Sequence, residues 1–298
     1  MRAMKRLPIR TTDAISGYLF ILPALLGLFV FLLFPIIESF FISLFDWNIS
    51  TAPRFIGISN FKELFTDAIF LTALGNTFKW VVFYVPLSIF VSFVLALAMD
   101  MPIKGIPFFR AFFYLPVVIP VVVVSLLFTW IYNKDFGILN YILGIFGVNP
   151  IGWLSDPKIA IYSIVFMCIW KWAGYNMLIF LAALKGIPDT LYEAAQLEGV
   201  KPLQKLWYIK LPLMMPAIYF VVLTCVIDAF QILSEVYVMT NGGPGYSTYT
   251  VSFYIWKTAF SYSRMGYACN IAVVMFIIIM LVTLIQDKFL NRRVQYED

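Results

Sequence analysis

Two of the most apolar stretches of this chain carry polar side chains: one has aromatic and amide groups, and the other has two carboxylates and an amide. Six of them are candidates for a solute pathway: Trp172, Tyr175, Asn176, Asp228, Gln231 and Glu235. Aromatic faces pack on the C–H surfaces of sugars, and planar polar groups bond their hydroxyls. The same residue types also anchor helices at a membrane interface or bond one helix to another. The sequence favours these two interpretations equally for any single residue.

The charged members of these stretches indicate a polar pathway. Asp228 and Glu235 are seven residues apart, which places them near one face of a continuous helix. Lys171 is the only basic residue inside an apolar run of this length. Because charges within a membrane usually face a cavity or a partner, Lys171 either contacts a solute or pairs with an acidic group on a neighbouring helix.

Catalytic chemistry has little support in the sequence. The chain has no His, and its three Cys lack metal-type spacing. No Gly-Lys dipeptide occurs, so a phosphate-binding loop of the GxxxxGK type is excluded. We therefore expect no enzyme activity, no catalytic or metal-binding residue and no cofactor in this chain.

A charged, helix-forming segment, Thr190–Pro212, separates two apolar runs. Thr190 and Glu193 have the spacing of a capping box, which predicts a short helix from Leu191 to Glu198. Gly199 suits a left-handed stop, and Lys201–Pro202 open a second helical stretch. Farther on, Asn241, Gly242, Gly243 and Pro244 predict a tight turn.

These segments resemble a known family. Glu193, Ala194, Ala195, Gly199, Ile209 and Leu211–Pro212 have the spacing of the EAA loop of bacterial ABC importer permeases. The turn at Asn241–Pro244 and two later segments, Tyr254–Trp256 and Gly266–Ala268, resemble carbohydrate-type permeases related to the maltose and glycerol-phosphate importers. The resemblance spans residues 17 to 290.

The resemblance implies a type I importer permease fold and a division of labour among subunits. The loop would be a cytoplasmic coupling helix that docks on a separate ATPase subunit, through Tyr192, Glu193, Ala194, Ala195, Leu197 and Gly199. The turn at Asn241–Pro244 would face an extracytoplasmic solute-binding protein. A second, homologous permease and two ATPase subunits, which hold ATP and Mg, would complete the assembly, with a sugar or oligosaccharide as solute.

The amino-acid composition indicates what kind of secondary structure positions these residues. The 298 residues are 62% hydrophobic and 12% charged, which indicates an integral membrane protein. Apolar runs long enough to cross a bilayer predict an all-α fold with six transmembrane helices in one domain, residues 1–298. Their approximate ranges are 17–41, 77–99, 109–131, 159–182, 213–239 and 266–287, with the coupling loop at 183–212.

The basic residues predict the orientation in a bacterial cytoplasmic membrane. Lys and Arg are in excess in the segments that are cytoplasmic if the N-terminus is inside. Both termini and the coupling loop then lie in the cytoplasm. The net charge of +5 reflects the membrane surface, not nucleic acid. The basic residues near the termini are Arg2, Lys5, Arg6, Arg10, Lys288, Arg292 and Arg293.

Three alternatives stay open at this point. One is a glycerol 3-phosphate or polyol permease; a phosphate ester would require a cation in the pathway, and Lys171 is the one candidate within a span. An ion-coupled secondary transporter could use Asp228. A membrane-embedded enzyme is disfavoured because no catalytic set is present.

Overall fold

The structure is a computed structural model that describes residues 11–290. Six basic residues used to predict the orientation lie outside this range: Arg2, Lys5, Arg6, Arg10, Arg292 and Arg293. Apart from a two-residue ribbon that pairs Phe45–Asp46 (β1) with Arg54–Phe55 (β2), the regular elements of the described chain are helical.

Helices follow one another closely along the chain. Three π-helical turns, Phe29–Leu33, Leu206–Lys210 and Lys257–Ser261, interrupt them. The α-helices are α1 (Thr11–Leu28), α2 (Phe34–Ile42), α3 (Ser59–Thr66), α4 (Ala68–Met99), α5 (Ile106–Val118), α6 (Val121–Ile131), α7 (Ile138–Ile145), α8 (Ala160–Lys185), α9 (Asp189–Leu197), α10 (Pro202–Lys205), α11 (Leu211–Leu213), α12 (Met215–Phe230), α13 (Ser234–Met239), α14 (Val251–Trp256) and α15 (Met265–Leu290).

By length and composition, four helical stretches can cross a membrane unbroken: Gly17–Ile42, Ala68–Met99, Ala160–Lys185 and Met265–Phe289. Two bent pairs meet the same test. One is α5 with α6, bent by 98°, and the other is Pro202–Leu213 with α12, bent by 70°. Counting each bent pair as one span gives up to six spans, the predicted number, although the second pair begins inside the predicted coupling loop 183–212.

The span predicted at 109–131 is therefore not one straight helix. It breaks at Ile119 and Pro120, which both have extended backbone angles. Pro120 has no N–H to continue the helix, and proline disfavours the helical conformation of the residue before it.

The continuous helix predicted over 213–239 is also wrong. Helix α12 ends at Phe230, and α13 begins at Ser234. Hydroxyls from the start of α14 replace the missing helical donors: Ser252 donates to the Phe230 carbonyl at 3.1 Å and Thr250 to the Ile232 carbonyl at 3.1 Å. Because these donors are distant in sequence, the break could not be read from the local apolar pattern.

The core lies where α4 packs along α8, with α5 and α12 against the same pair. Buried side chains there include Trp80, Ile164, Met177 and Phe180. Gly174 brings α8 unusually close to α5, since a Cβ at this position would stand 2.8 Å from the Phe113 carbonyl carbon.

Asp67 ties α4 to the last two helices. Its carboxylate accepts hydrogen bonds from the Tyr254 hydroxyl at 2.6 Å, the Tyr267 hydroxyl at 2.8 Å and the Ile69 N–H at 2.8 Å. Burial alone would raise the pKa of Asp67, but these bonds and one from the Phe70 N–H outweigh it, so the pKa lies below its usual value.

Candidate functional site

A cavity of about 470 Å³ opens between α4, α8, α12 and the break before α13. Its volume is within the range of small-molecule sites. Gln231, Leu233 and Ser234, at the helix break, all line the cavity. The break therefore contributes polar groups to the cavity wall.

All six predicted pathway residues line this one cavity. Trp172, Tyr175 and Asn176 come from α8, Asp228 comes from α12, and Gln231 and Glu235 come from the break and from α13. Asp228 and Glu235 share the cavity although they do not share a helix, so the reason given from spacing was wrong. The amide of Asn176 is buried and donates to the Cys225 sulfur at 3.2 Å.

Among the cavity residues missed from the sequence are two aromatic ones, Trp80 and Tyr84 of α4. Their rings stack with centroids 5.5 Å apart and planes inclined by 20°. The buried Trp80 Nε1 has no hydrogen-bond partner among residues 11–290. The spacing of four residues inside an uncharged run was the available signal, since it places both rings on one helix face.

Lys171 does not line the cavity. Its side chain is 1% exposed, and its ammonium donates to the carbonyl oxygens of Ile119 at 2.6 Å and Pro116 at 3.1 Å. These acceptors lie at the break between α5 and α6. The Lys171 ammonium therefore satisfies carbonyls that the proline break leaves without helical donors.

The predicted capping box at Thr190 does not form. Helix α9 begins at Asp189, with Pro188 in extended conformation as its N-cap and no side-chain cap bond. Thr190 is therefore already inside the first turn. The stop is as predicted: Gly199 has φ +70°, and the N–H groups of Gly199 and Val200 donate to the carbonyls of Gln196 and Ala195.

The predicted coupling residues divide between two faces of α9. Glu193, Ala194 and Leu197 are exposed, and Leu197 is 91% accessible. Ala195 is buried and lines a groove together with Val200 and Gln204 of the following segment. Tyr192 is half-buried on the inner side, with its ring 5.7 Å from the Lys210 Nζ.

The predicted turn at Asn241–Pro244 forms, and just after it the Tyr246 carbonyl accepts from Asn76 in the first half of α4. The segment after α9 contacts Asp100, at the other end of α4. Asn241 is exposed and has φ +48°, whereas Gly242 is buried with φ +82°. A Cβ on Gly242 would stand 2.5 Å from the Tyr249 ring. The Thr248 hydroxyl donates to the Gly243 carbonyl at 2.8 Å, which fixes the turn. Asn241 is thus available to a partner, and Gly242 is a packing residue.

The described residues form a cavity with polar and aromatic walls. Within residues 11–290, no group of three or more His, Cys, Asp or Glu side chains could hold a metal ion. What the chain offers is a polar, aromatic cavity among bent helices, with an exposed amphipathic helix at one end and a turn at the other.

Comparison with known proteins agrees with this arrangement. The chain is similar to the probable ABC transporter permease protein YurN of Bacillus subtilis, with 38% identity over 282 residues that cover 93% of this chain and 96% of that one. It is also 33% identical to the lactose transport system permease protein LacF of Rhizobium radiobacter over 292 residues, covering 96% and 97%.

A solved structure shows the same fold. It is a bacterial alginate ABC transporter in complex with its pentasaccharide-bound periplasmic protein; the matching chain has a TM-score of 0.86 and 22% identity, covering 98% of this chain and 99% of that one. Proteins of this kind are permease subunits and not themselves enzymes. Residues 88–296 match the family described as "Binding-protein-dependent transport system inner membrane component", and the chain belongs to that family.

Proposed function

We propose that the cavity between α4, α8 and α12 is the pathway for a neutral sugar or oligosaccharide. The observation that carries this proposal is the convergence of Trp172, Tyr175, Asn176, Asp228, Gln231 and Glu235 on one cavity. Trp80 and Tyr84 add a stacked aromatic surface to it. Aromatic faces with a few placed amides and carboxylates suit a hydroxyl-rich ligand.

The names of the relatives support a saccharide. They include the lactose permease already described, a trehalose/maltose permease of Thermococcus litoralis at 30% identity and an arabinooligosaccharide permease of Bacillus subtilis at 32% identity. They differ in sugar and chain length, so the proposal stops at the class.

The charges around the cavity favour a neutral solute. Asp228 and Glu235 line it, and none of the described residues that line it is Lys or Arg. Lys171, the candidate phosphate ligand, is occupied by backbone carbonyls. A glycerol 3-phosphate ester would therefore meet two carboxyl groups and no free cation, which makes it the weaker alternative.

Membership of this family argues against the other two alternatives, the ion-coupled carrier and the membrane-embedded enzyme. An ABC permease is driven by a separate ATPase, so an ion-coupled carrier that uses Asp228 and a membrane-embedded enzyme are both set aside. In the proposed sugar pathway, Asp228 is one of the residues that line the cavity.

The sugar proposal is tested on the complex purified with its native partners. ATP hydrolysis is measured with the binding protein and a panel of neutral oligosaccharides, with alginate oligosaccharides and glycerol 3-phosphate as anionic probes. Tyr175→Ala removes a half-exposed cavity ring and should raise the half-saturating sugar concentration about two- to tenfold, from an aromatic contact of about 0.5–1.5 kcal/mol. Tyr141→Ala, an exposed ring far from the cavity, is the matched control. Stimulation by the anionic probes alone would contradict the proposal.

The second part of the proposal concerns α9. It would dock on an ATPase subunit through Glu193, Ala194 and Leu197, in a complex of two permeases, two ATPases and an extracytoplasmic binding protein. ATP binding would close the ATPase pair, and the docked helix would carry that motion into the membrane helices. No residue of the apolar window within Gly17–Ile42 is buried, which leaves apolar surface for lipid and for the second permease.

This assembly requires both termini and α9 on the cytoplasmic side and Asn241 on the other. In intact cells, Lys201→Cys should not be labelled by a membrane-impermeant maleimide, whereas Asn241→Cys should be labelled. The reverse pattern would invert the proposed orientation.

Gly199→Asp provides the test of docking, with Gly147→Asp as its control. Both glycines have positive φ, +70° and +76°, and a Cβ added to either would meet no other atom within 4 Å, so the backbone strain is matched. Gly199→Asp and Glu193→Lys should abolish uptake at normal membrane levels, whereas Gly147→Asp should retain it. Normal uptake in both coupling-loop variants would remove the docking role.

A further inference from the structure

An ionic cluster joins three segments of the chain at the inner end of α4. The Asp100 carboxylate is 3.0 Å from the Lys210 Nζ through one oxygen and 3.0 Å from the Lys185 Nζ through the other. Asp100 caps α4, Lys185 ends α8, and Lys210 ends the π-helical turn that follows α10. The Asp100 carboxylate thus joins two of the cavity-lining helices, α4 and α8, to the coupling segment.

The contact with Lys210 is the more sheltered of the two. The side chains of Asp100 and Lys210 are 16% and 22% exposed, whereas Lys185 is 58% exposed. Solvent weakens an exposed pair much more than a sheltered one. Burial alone would raise the pKa of Asp100, but the bonds from Lys210 and Lys185 outweigh it and hold the pKa below its usual value, so the carboxylate is charged at neutral pH.

Lys210 extends this cluster to the coupling helix. Its Nζ lies over the ring of Tyr192 on α9, 5.7 Å from the ring centroid. A continuous set of contacts therefore runs from α9 through Lys210 to Asp100. From there it enters α4, which carries Trp80 and Tyr84, and through Lys185 it enters α8, which carries Trp172 and Tyr175.

Apolar packing adds little to this connection, since Ile209 of the π-helical turn packs against the core while only partly buried. Helix α10 and the π-helical turn after it contain no buried residue, and Leu203, Trp207 and Tyr208 are each more than half exposed. By contrast, α4 and α8 are held together by an extensive buried core. The Asp100 cluster is thus dispensable for joining α4 to α8, whereas it adds a sheltered ionic contact to the packing of Ile209 in attaching the segment after α9.

We propose that Asp100 is a positioning residue for coupling: through Lys210 it transmits movement of α9 to the helices that line the cavity. The proposal rests on the docking role of α9 proposed above. Rigid helices can carry a displacement over this distance only if their ends are fixed to the element that moves.

The experiment uses the complex purified with its native subunits, in liposomes, with Tyr175→Cys as a reporter in the cavity. The rate of its labelling by a membrane-impermeant maleimide is compared without nucleotide and with MgATP plus vanadate. The complex without Tyr175→Cys provides the background from the natural cysteines. This readout needs no knowledge of the sugar.

Asp100→Asn should reduce the nucleotide-dependent change in labelling rate roughly tenfold, within the range typical of coupling between sites, while the ATPase subunit co-purifies in normal amount. Lys210→Met should do the same, and Lys185→Met should have a smaller effect. Asp100→Glu should keep the response, and Asp100→Lys combined with Lys210→Asp should restore part of it. Asp135→Asn, at an exposed carboxylate, is the control.

The outcomes separate the two proposals. A normal labelling response in both Asp100→Asn and Lys210→Met overturns the role of Asp100 alone. A parallel loss of complex and response, with no rescue by the charge reversal, also overturns it in favour of a purely stabilising contact. If the complex with an intact coupling segment shows no response to nucleotide, or if Glu193→Lys leaves the response unchanged, the docking proposal fails and the role of Asp100 fails with it.

Discussion

Replacing Gly174 by Ala tests the closest helix contact near the cavity. The added Cβ would stand 2.8 Å from the Phe113 carbonyl carbon and 3.0 Å from the Tyr114 Cα, and nearer still to the Phe113 carbonyl oxygen. Carbon atoms in favourable contact are about 3.5–4.0 Å apart. The obstacle is backbone, so no side-chain rotation relieves it, and α5 and α8 must separate by about 1 Å.

Two effects contribute to the loss of stability expected for Gly174→Ala. Overpacking of this kind typically destabilises by about 1–3 kcal/mol. The same separation would stretch the bonds from Lys171 to Ile119 and Pro116, now 2.6 and 3.1 Å, and bonds to a charged group contribute about 1.5–3 kcal/mol each. Because a lysine side chain can follow part of the movement, we expect a total loss of about 3 kcal/mol.

The assay is the temperature midpoint of unfolding of the purified complex in detergent, with ATP hydrolysis measured alongside. Gly75→Ala is the matched control: Gly75 lies in α4, and nothing in the described part of this chain is within 4 Å of its Cβ position. Alanine there should be neutral or stabilising by up to about 1 kcal/mol, through helix preference. Equal midpoints for Gly174→Ala and Gly75→Ala would refute the close-approach reasoning.

Three further predictions concern other contacts. Lys171→Met should sharply lower the yield of folded complex on size-exclusion chromatography, since each buried carbonyl left unpaired costs about 1–3 kcal/mol; a normal yield would show that the bend does not need the ammonium. Asp67→Asn should lower the unfolding midpoint at pH 7, and this difference should disappear as the pH falls below about 3.8, because the depressed pKa of Asp67 stabilises the fold only while the group is ionised. A difference that persists at low pH would mean that its charge is not responsible. Gly242→Ala should destabilise the fold by about 1–3 kcal/mol, because the added Cβ would clash with the Tyr249 ring. Gly245→Ala, also at positive φ but with nothing within 4 Å, should lose only the smaller free energy of backbone strain. Thermal unfolding midpoints of the two variants would show the difference.

Local chemistry determined more of the coupling segment than of the cavity. Gly199 was identified as a left-handed stop because that conformation depends on the residue itself and its immediate neighbours. The start of α9 was placed two residues too late, because the helix begins at Asp189 after the extended Pro188, which supplies no side-chain cap for a capping pattern to detect.

The sequence alone determined that the chain is a helical membrane protein and where its apolar spans lie, since run length against bilayer thickness needs no tertiary information. It also supplied the residue types of the cavity. The tertiary structure decided which of them meet. The break after Phe230 depends on hydroxyls from Thr250 and Ser252, and the sequestration of Lys171 depends on carbonyls at Pro116 and Ile119.

The Asp100–Lys210 contact shows the same limit most clearly, because it joins residues 110 positions apart. Charge and propensity describe each residue separately, and periodicity describes one element at a time. Which carboxylate meets which ammonium depends on how whole helices pack, and only the folded chain fixes that.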